Sequence, residues 1–525
     1  MFPRKHGHYR RGATSITALP SLFVLLLLII TTAMTTRACA ATAHANTPPT
    51  THSQSPAATS LTSCYLPGLA EKVRCGTIMV PEDSNNPTGQ QIAIHYAVLP
   101  AIKNSQPDRA MLAISGGPGQ SAIDNAPLFN RLLHEVRQFR DIILIDQRGT
   151  GRSSLLQCEL PDITTALAMN DEQQDLIQQT QQCLTQQQAD IRHYDSRSAL
   201  EDFEAVRRHA GYRYLDLYGI SYGTRMAQLY MRHYPQALTT VTLDGVVPMQ
   251  QNLLYIGQAI SRATQLMLDD CRQSPSCHQA YPNLAADLAT IEQQLATQPI
   301  TTTVAAPLSG EQVPLQLTRS KFLSAIRMAL YSPNTRSMLP FAITQAAKQH
   351  YQPIIGLYHL TLDAAGIAMG MHASVICAED IPFADEAALS AARQSYIGRT
   401  MVDSLQKICT VWQMPAAAAD FHQPINSTIP TLLLSGQLDP ATPPAWGELA
   451  MQQLRNARHL VAPYAGHGVA IQTCAHRLIA DFVNGKELSA LDADCLKQDT
   501  RRSFYLNANT MEAWQPTATQ EQPYD

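Results

Sequence analysis

The sequence is poor in charge, in metal-binding patterns and in repeats. Only 15% of its 525 residues are Asp, Glu, Lys or Arg, and the formal net charge is −4. No cysteines or histidines stand in a C-x-x-C or Cys/His spacing, so we expect neither a zinc site nor another cofactor. No segment repeats along the chain. A large apolar fraction, 45%, is left to build a sizeable core.

The first 40 residues predict a cleaved signal peptide. Basic residues precede an apolar stretch over 19–30, and Ala38-Cys39-Ala40 gives a small-residue cleavage site. A membrane anchor is the alternative, although the apolar run is short for a bilayer, and a lipid anchor at Cys39 also stays open. Cleavage removes five basic residues and no acidic ones, which moves the net charge from −4 to −9. We therefore expect an exported protein, periplasmic or secreted, without nucleic-acid partners or stable membrane insertion.

Ten cysteines remain after cleavage, and an even number in an exported chain predicts disulfides. Their close spacings favour pairing between sequence neighbours. The predicted pairs are Cys64–Cys75, Cys158–Cys183, Cys271–Cys277, Cys377–Cys409 and Cys474–Cys495.

Periodicity divides the rest of the chain. Residues 41–60 are rich in Thr, Ala, Ser and Pro and predict a disordered linker. Strand-like runs alternate with helical patterns over 61–249, helical spacing dominates 250–428, and strand signals return over 429–499 before a polar tail at 500–525. This order predicts an α/β class with a mostly parallel sheet, into which a large helical lid is inserted.

The most informative motif lies in the first half of the predicted sheet. Gly219-Ile220-Ser221-Tyr222-Gly223 follows an apolar strand and precedes a helical pattern, which is the setting of a nucleophile elbow. The tight turn requires residues without side chains two positions before and after the serine, and Gly219 and Gly223 meet that need. The alternative is a glycine-rich turn with an incidental serine. We predict that Ser221 is a nucleophile.

A serine hydroxyl needs a base and an orienting carboxylate to attack at neutral pH. Asp439 follows the apolar run 431–434, and His467 follows the last strand signal between two glycines. The order Ser, Asp, His is that of α/β hydrolases. An ordinary Asp-Pro turn and a structural histidine are the alternatives to this predicted triad.

The negative oxygen of a tetrahedral intermediate needs two backbone N–H donors. We assign one to Tyr222 and the other to Gly117, with Gly116 as the fallback, in the loop Ser115-Gly116-Gly117-Pro118-Gly119. The segment 146–153 also follows a strand, but it has neither the P-loop lysine pattern nor a G-x-G-x-x-G spacing. We interpret it as a turn pinned by its charged side chains, with phosphate binding as the weaker alternative.

Together these segments resemble the prolyl aminopeptidase family of α/β-hydrolase peptidases. The family motifs GGPG, DQRGxGRS and GxSYGT stand here at 116–119, 146–153 and 219–224, and Asp439 and His467 match the late acid and base. The resemblance covers about 64–498. Family members proper have His before GGPG, where this chain has Ser115. Its export signal, its cysteines and the stretch 424–495 resemble the secreted tripeptidyl-aminopeptidase branch, with its TAP-like C-terminal segment.

The resemblance implies a serine aminopeptidase that releases either an N-terminal residue or a tripeptide through an acyl-enzyme. Proline is the candidate for the single N-terminal residue. Its partners are then peptides with a free N-terminus, whose ammonium the family binds with lid carboxylates. Glu379 and Asp380 are the candidates for that role, and capping of the next helix is their alternative. Two rival functions remain: a carboxylic ester hydrolase, either esterase or lipase, on the same triad, and a non-catalytic binding protein.

Overall fold

The computed structural model describes residues 61–159, 161–363 and 366–513. The predicted signal peptide and linker lie outside these ranges. Within them, no helix is both long and apolar enough to cross a membrane, and no group of His, Cys, Asp and Glu side chains has the arrangement of a metal site.

A nine-stranded sheet carries the active-site loops. Its order is β1-β2-β3-β5-β4-β6-β7-β10-β11, and a separate hairpin joins β8 to β9. The strands are β1 Thr62–Cys64, β2 Val73–Pro81, β3 Gln91–Leu99, β4 Arg109–Ile114, β5 Asp141–Ile145, β6 Tyr214–Ile220, β7 Leu238–Asp244, β8 Ile300–Ala305, β9 Gln312–Leu317, β10 Thr431–Gly436 and β11 Ala457–Ala462. From β5 to β11 all neighbours are parallel, whereas β1, β2 and β3 form an antiparallel edge.

Helices cover the sheet and build the lid. They are α1 Ala126–Leu132, α2 Ile163–Ala168, α3 Leu176–Gln186, α4 Ser196–His209, α5 Tyr222–His233, α6 Ile256–Gln273, α7 Pro275–Ala280, α8 Leu284–Thr297, α9 Arg319–Ala329, α10 Pro333–Arg336, α11 Leu339–Ala347, α12 Gln352–Asp363, α13 Met369–Glu379, α14 Glu386–Ala392, α15 Tyr396–Val411, α16 Pro444–Met451, α17 Val469–Gln472, α18 Ala475–Val483 and α19 Asp494–Lys497.

Both faces of the sheet are buried, as the apolar strands predict. Along β4, Leu112 belongs to one hydrophobic core and its neighbours Met111 and Ala113 belong to another, because successive side chains point to opposite faces. The first core takes in α4 and α5, and the second takes in α1 and α18. The predicted α/β-hydrolase fold with a mostly parallel sheet is confirmed.

The lid has a core of its own and is not wholly helical. Residues of α6, α8, α9, α11 and α12 pack together with the hairpin β8–β9, which the helical spacing of this region did not predict. Phe504, from the predicted polar tail, is fully buried in the same core. The C-terminal residues up to 513 therefore include an anchor for the lid.

All five predicted cysteine pairs are present as disulfides. Each closes a short stretch, with sequence separations from 6 for Cys271–Cys277 to 32 for Cys377–Cys409. Five disulfides in one chain are typical of an oxidising compartment, which agrees with the expected export.

Candidate active site

Ser221 lies in a strained turn at the carboxyl end of β6. Its backbone has φ 57° and ψ −126°, a conformation that non-glycine residues rarely adopt. Helix α5 begins at the next residue, so Ser221 sits at the positive end of a helix dipole. Strain of this kind costs about 1–3 kcal/mol and persists only where the surroundings enforce it. Here the conformation presents the half-buried serine at the end of the sheet.

The two glycines of the elbow are needed for lack of space. A Cβ on Gly219 would lie less than 3.0 Å from backbone atoms of Gly223, and a Cβ on Gly223 would lie 2.7 Å from the carbonyl oxygen of Ser115. Backbone atoms cannot move aside as a flexible side chain can. The packing of α5 against β6 and the loop after β4 therefore depends on both glycines, as the motif predicts.

We expect Gly223→Ala to lower kcat/KM about 100-fold, because the added methyl group displaces the elbow from the loop that faces it. Overpacking should also reduce the free energy of unfolding by about 1–3 kcal/mol. Gly356→Ala is the matched control, since Gly356 lies in α12 with no atom within 4 Å of an added Cβ. That variant should keep full activity and gain about 0.5–1 kcal/mol. Steady-state kinetics and urea unfolding measure both effects, and equal behaviour of the two variants would contradict the steric explanation.

Asp439 and His467 form the predicted acid–base pair. Asp439 follows β10, His467 follows β11, and the carboxylate Oδ2 lies 2.9 Å from the ring Nδ1. The carboxylate is fully buried and also accepts hydrogen bonds from the backbone N–H groups of Ala441 and Thr442 and from the Thr442 hydroxyl. These three donors fix its orientation toward the histidine ring.

The surroundings of His467 favour its charged form. Burial is the largest single effect and works against the imidazolium, but the Asp439 and Asp244 carboxylates together outweigh the opposing effects, so the pKa of His467 is raised above its ordinary value of 6.5. The ring of Tyr331, two residues after the end of α9, packs edge-on against the imidazole at 5.1 Å between centroids. The Tyr331 carbonyl also accepts the backbone N–H of His467 at 2.9 Å, so the lid helps to hold the base.

Contacts between neighbouring residues bring Ser221 and His467 to one place. The N–H of Ser221 donates to the carbonyl of Asp244. The following residue, Gly245, lies against the imidazole, since a Cβ added to it would be 3.1 Å from His467 Cε1. On the other side, the Cβ position of Gly468 is 3.0 Å from the Cδ1 atom of Ile220. Gly468, which follows His467, therefore contacts Ile220, which precedes Ser221. Gly245, which follows the acceptor of the Ser221 N–H, contacts the His467 ring.

The loop after β4 runs beside the nucleophile. A Cβ on Gly116 would lie 2.9 Å from the Cβ of Ser221, so only glycine permits this approach. The Tyr222 N–H, at the first position of α5, has no acceptor within its own helix. The site therefore has the parts for an oxyanion hole, and the assignment of its donors to Gly117 and Tyr222 stays a prediction.

The lid is fastened to the same loop. His372 in α13 hydrogen-bonds through Nδ1 to the Pro118 carbonyl at 3.2 Å, and the Gly119 carbonyl accepts the N–H of Ala368 at 2.9 Å. Burial lowers the pKa of His372, which favours the neutral ring. A shift of α13 would therefore displace the loop that carries the predicted oxyanion donor Gly117.

Glu379 lies at the end of α13, behind the elbow. Its carboxylate is 1% exposed and accepts hydrogen bonds from the N–H and the hydroxyl of Ser196, and that hydroxyl is 2.5 Å from the Tyr222 phenol. Burial raises the pKa of Glu379 to about 8. Asp380, also buried, pairs with Arg225 at 3.1 Å. Both acids thus connect the lid to the elbow helix, they do not cap α14, and their substrate-binding role stays a prediction.

The segment 146–153 makes structural contacts. Asp146 accepts hydrogen bonds from Ser121 and from the backbone of Ile123 and Arg152, and Arg148 forms a buried two-pronged ion pair with Asp202. This agrees with the interpretation of a pinned turn beside the active site.

A cavity of about 380 Å3 opens from the predicted oxyanion loop into the lid. Gly117 and His372 line it at the catalytic end, and α9, α13 and α15 provide most of the remaining wall. Its volume lies within the range of small-ligand sites. The sequence predicted a lid but not which of its helices line this cavity.

Comparison with known proteins supports the resemblance drawn from the motifs. Residues 394–495 match a family model described as TAP-like protein. Serine protease Hip1 of Mycobacterium tuberculosis is 23% identical over 457 residues, which cover 80% of this chain and 87% of that protein. A tripeptidyl aminopeptidase of Streptomyces lividans is 24% identical over 206 residues, 36% of this chain and 38% of that protein.

Among solved structures, a proline iminopeptidase from Mycobacterium smegmatis aligns with 79% of this chain and all of its own, at 13% identity and a TM-score of 0.33. The relatives and the TAP-like match confirm the resemblance to peptidases with a TAP-like C-terminal segment. The chain is a serine hydrolase of the α/β fold with peptidase relatives.

Proposed function

We propose that this serine hydrolase is an exported aminopeptidase that releases an N-terminal residue or tripeptide from peptides through an acyl-enzyme. Ser221 attacks the carbonyl carbon of the scissile bond, while His467 takes the serine proton and then gives it to the leaving amine. Asp439 orients the imidazole and stabilises its charged form. Backbone N–H groups of Gly117 and Tyr222 bind the oxyanion, and water hydrolyses the ester in a second step through the same base.

The cavity under the lid is the observation that carries the proposal. Its roof of helices leaves about 380 Å3 beside the oxyanion loop, which suits the end of a peptide better than the middle of a folded chain. The relatives named as a serine protease and a tripeptidyl aminopeptidase favour peptides over other acyl compounds. The disulfides support export.

Paired substrates test the proposal. We expect wild-type protein to cleave Ala-Ala-Pro-, Ala- and Pro-4-nitroanilides with a free amine at least about tenfold faster than the N-acetylated forms, because charged hydrogen bonds to an ammonium contribute about 1.5–3 kcal/mol. Absorbance of released nitroaniline gives kcat/KM for each pair. Indifference to acetylation, together with faster cleavage of 4-nitrophenyl esters, would favour the ester hydrolase and sink the aminopeptidase.

Glu379→Gln separates two roles of that residue in the same assay. If Glu379 binds the ammonium, KM rises for free-amine substrates alone. Since its carboxylate is engaged with Ser196, we expect instead a fall in kcat for free and acetylated substrates alike, through displacement of Tyr222. Thermal unfolding of the variant checks that it remains folded.

A further inference from the structure

One arginine in the wall of the cavity lacks a partner. Nε of Arg327 is buried without a hydrogen-bond acceptor, and no ion pair to its guanidinium occurs among the described residues. Four arginines that are more deeply buried than Arg327 are paired with acids, although Nε of Arg225 and of Arg336 also lacks an acceptor. Each has a carboxylate close by: Arg140–Asp216, Arg148–Asp202, Arg225–Asp380 and Arg336–Asp270.

Arg327 lines the cavity and is electrostatically coupled to His467. It lies on α9 with Ser320, Leu323 and Ser324, four positions whose spacing places them on one helix face, and all four line the cavity. Its positive charge lowers the pKa of both His372 and His467, though burial is the larger lowering effect on each ring. The guanidinium is therefore within electrostatic reach of the catalytic base and of the group that holds the oxyanion loop.

The rest of the wall leaves this charge uncompensated. Within the described chain, Arg327 is the only residue of the cavity lining with a fixed charge, and Ile376, Met401 and Leu405 make much of the remainder apolar. An apolar cavity with one unpaired guanidinium is suited to a ligand that brings a carboxylate, which arginine can bind through two parallel N–H donors. An ammonium would be repelled by this guanidinium, so the free N-terminus of an aminopeptidase substrate is not expected beside Arg327.

We propose that Arg327 is a specificity-determining residue that binds a carboxylate of the substrate within the lid cavity. This inference rests on the proposed peptidase function. The carboxylate has two chemical sources in peptides: the side chain of an acidic residue close to the scissile bond, or the free C-terminus of a short peptide.

Matched substrates distinguish these sources. One set consists of Ala-Ala-Ala-4-nitroanilide variants with Glu or Gln at each of the three positions, and the other of short alanine peptides with a free or an amidated C-terminus. We expect the carboxylate form to exceed its neutral partner in kcat/KM by about tenfold or more in one of the sets. Arg327→Gln should reduce that ratio to near one, and Arg327→Lys should restore part of it.

Arg272→Gln is the control, because Arg272 is 69% exposed on the lid surface and should leave the ratio unchanged. No preference in the wild type, or a preference that survives Arg327→Gln, would overturn the inference. A second readout is the pH profile, whose acidic limb should move to higher pH in Arg327→Gln since a charge that disfavours the imidazolium is lost.

Failure of the proposed function gives a different result. If no peptide is cleaved while Ser221-dependent ester hydrolysis persists, the peptidase assignment falls. The test of Arg327 is then the ratio of kcat/KM for the mono-4-nitrophenyl ester of glutarate to kcat/KM for 4-nitrophenyl butyrate. The ratio should be about tenfold or more in the wild type and near one in Arg327→Gln.

Discussion

Ser221→Ala should lower kcat by about 10⁴-fold or more and abolish covalent labelling by a serine-reactive fluorophosphonate. The hydroxyl is the group that forms the acyl-enzyme, and neither His467 nor the oxyanion loop can replace it. Mass spectrometry of the labelled protein locates the modified residue. Labelling of another residue in the variant would show that the nucleophile has been misassigned.

Ser154→Ala is a matched control for this experiment. Ser154 also has a positive φ, 53°, and it lies outside the predicted triad. Its replacement should leave both labelling and hydrolysis near wild-type values. A loss of activity in both variants would indicate general sensitivity of strained serines and not nucleophilic catalysis.

Asp439→Asn should lower kcat by about 10⁴-fold with little change in KM, because an amide can leave the imidazole in the wrong tautomer and cannot stabilise its positive charge. The buried site offers three donors to Asp439, and an NH2 group facing any of them loses that hydrogen bond. Asp481→Asn is the control, since that side chain is 51% exposed on α18 and away from the triad.

The pH profile of Asp439→Asn gives an independent check. The carboxylate raises the pKa of His467 against the opposing effect of burial. Its removal should therefore lower that pKa and move the acidic limb of kcat/KM to lower pH. An unchanged limb would mean that another group controls the activity.

The triad was predictable from sequence because it depends on local order. A parallel sheet brings the carboxyl ends of its strands to one edge, so Ser221, Asp439 and His467 could each be assigned from the strand that precedes it. The five disulfides were predictable for a related reason, as every partner is the next cysteine along the chain.

The lid side of the site was not predictable in the same way. Arg327 lies on the amphipathic helix α9 and Tyr331 follows the end of that helix, and only the packing of α9 over the sheet brings them to the cavity and to His467. Glu379 and Ser196 are 183 positions apart in the chain, and no pattern in either segment predicts the hydrogen bond between them. The hairpin β8–β9 could have been recognised from the β-branched run Thr301-Thr302-Thr303-Val304, although helical spacing on both sides hid it.

Thr442 is the functional neighbour with the clearest missed signal. It stands three residues after Asp439 in an Asp-Pro-Ala-Thr turn, where an aspartate commonly accepts backbone N–H groups. Its hydroxyl lies 2.7 Å from the carboxylate and 3.2 Å from Nδ1 of His467. The Asp-Pro turn is the alternative to a catalytic role for Asp439, and the structure shows that this turn orients the Asp439 carboxylate.

The linear arrangement of the disulfides has a consequence for biogenesis. No native pair encloses or interleaves with another, from Cys64–Cys75 to Cys474–Cys495. In a chain that crosses a membrane from its N-terminus, both cysteines of each pair therefore emerge before the first cysteine of the next pair. The order of translocation is then also the order in which native partners become available for oxidation, without reshuffling of mispaired thiols.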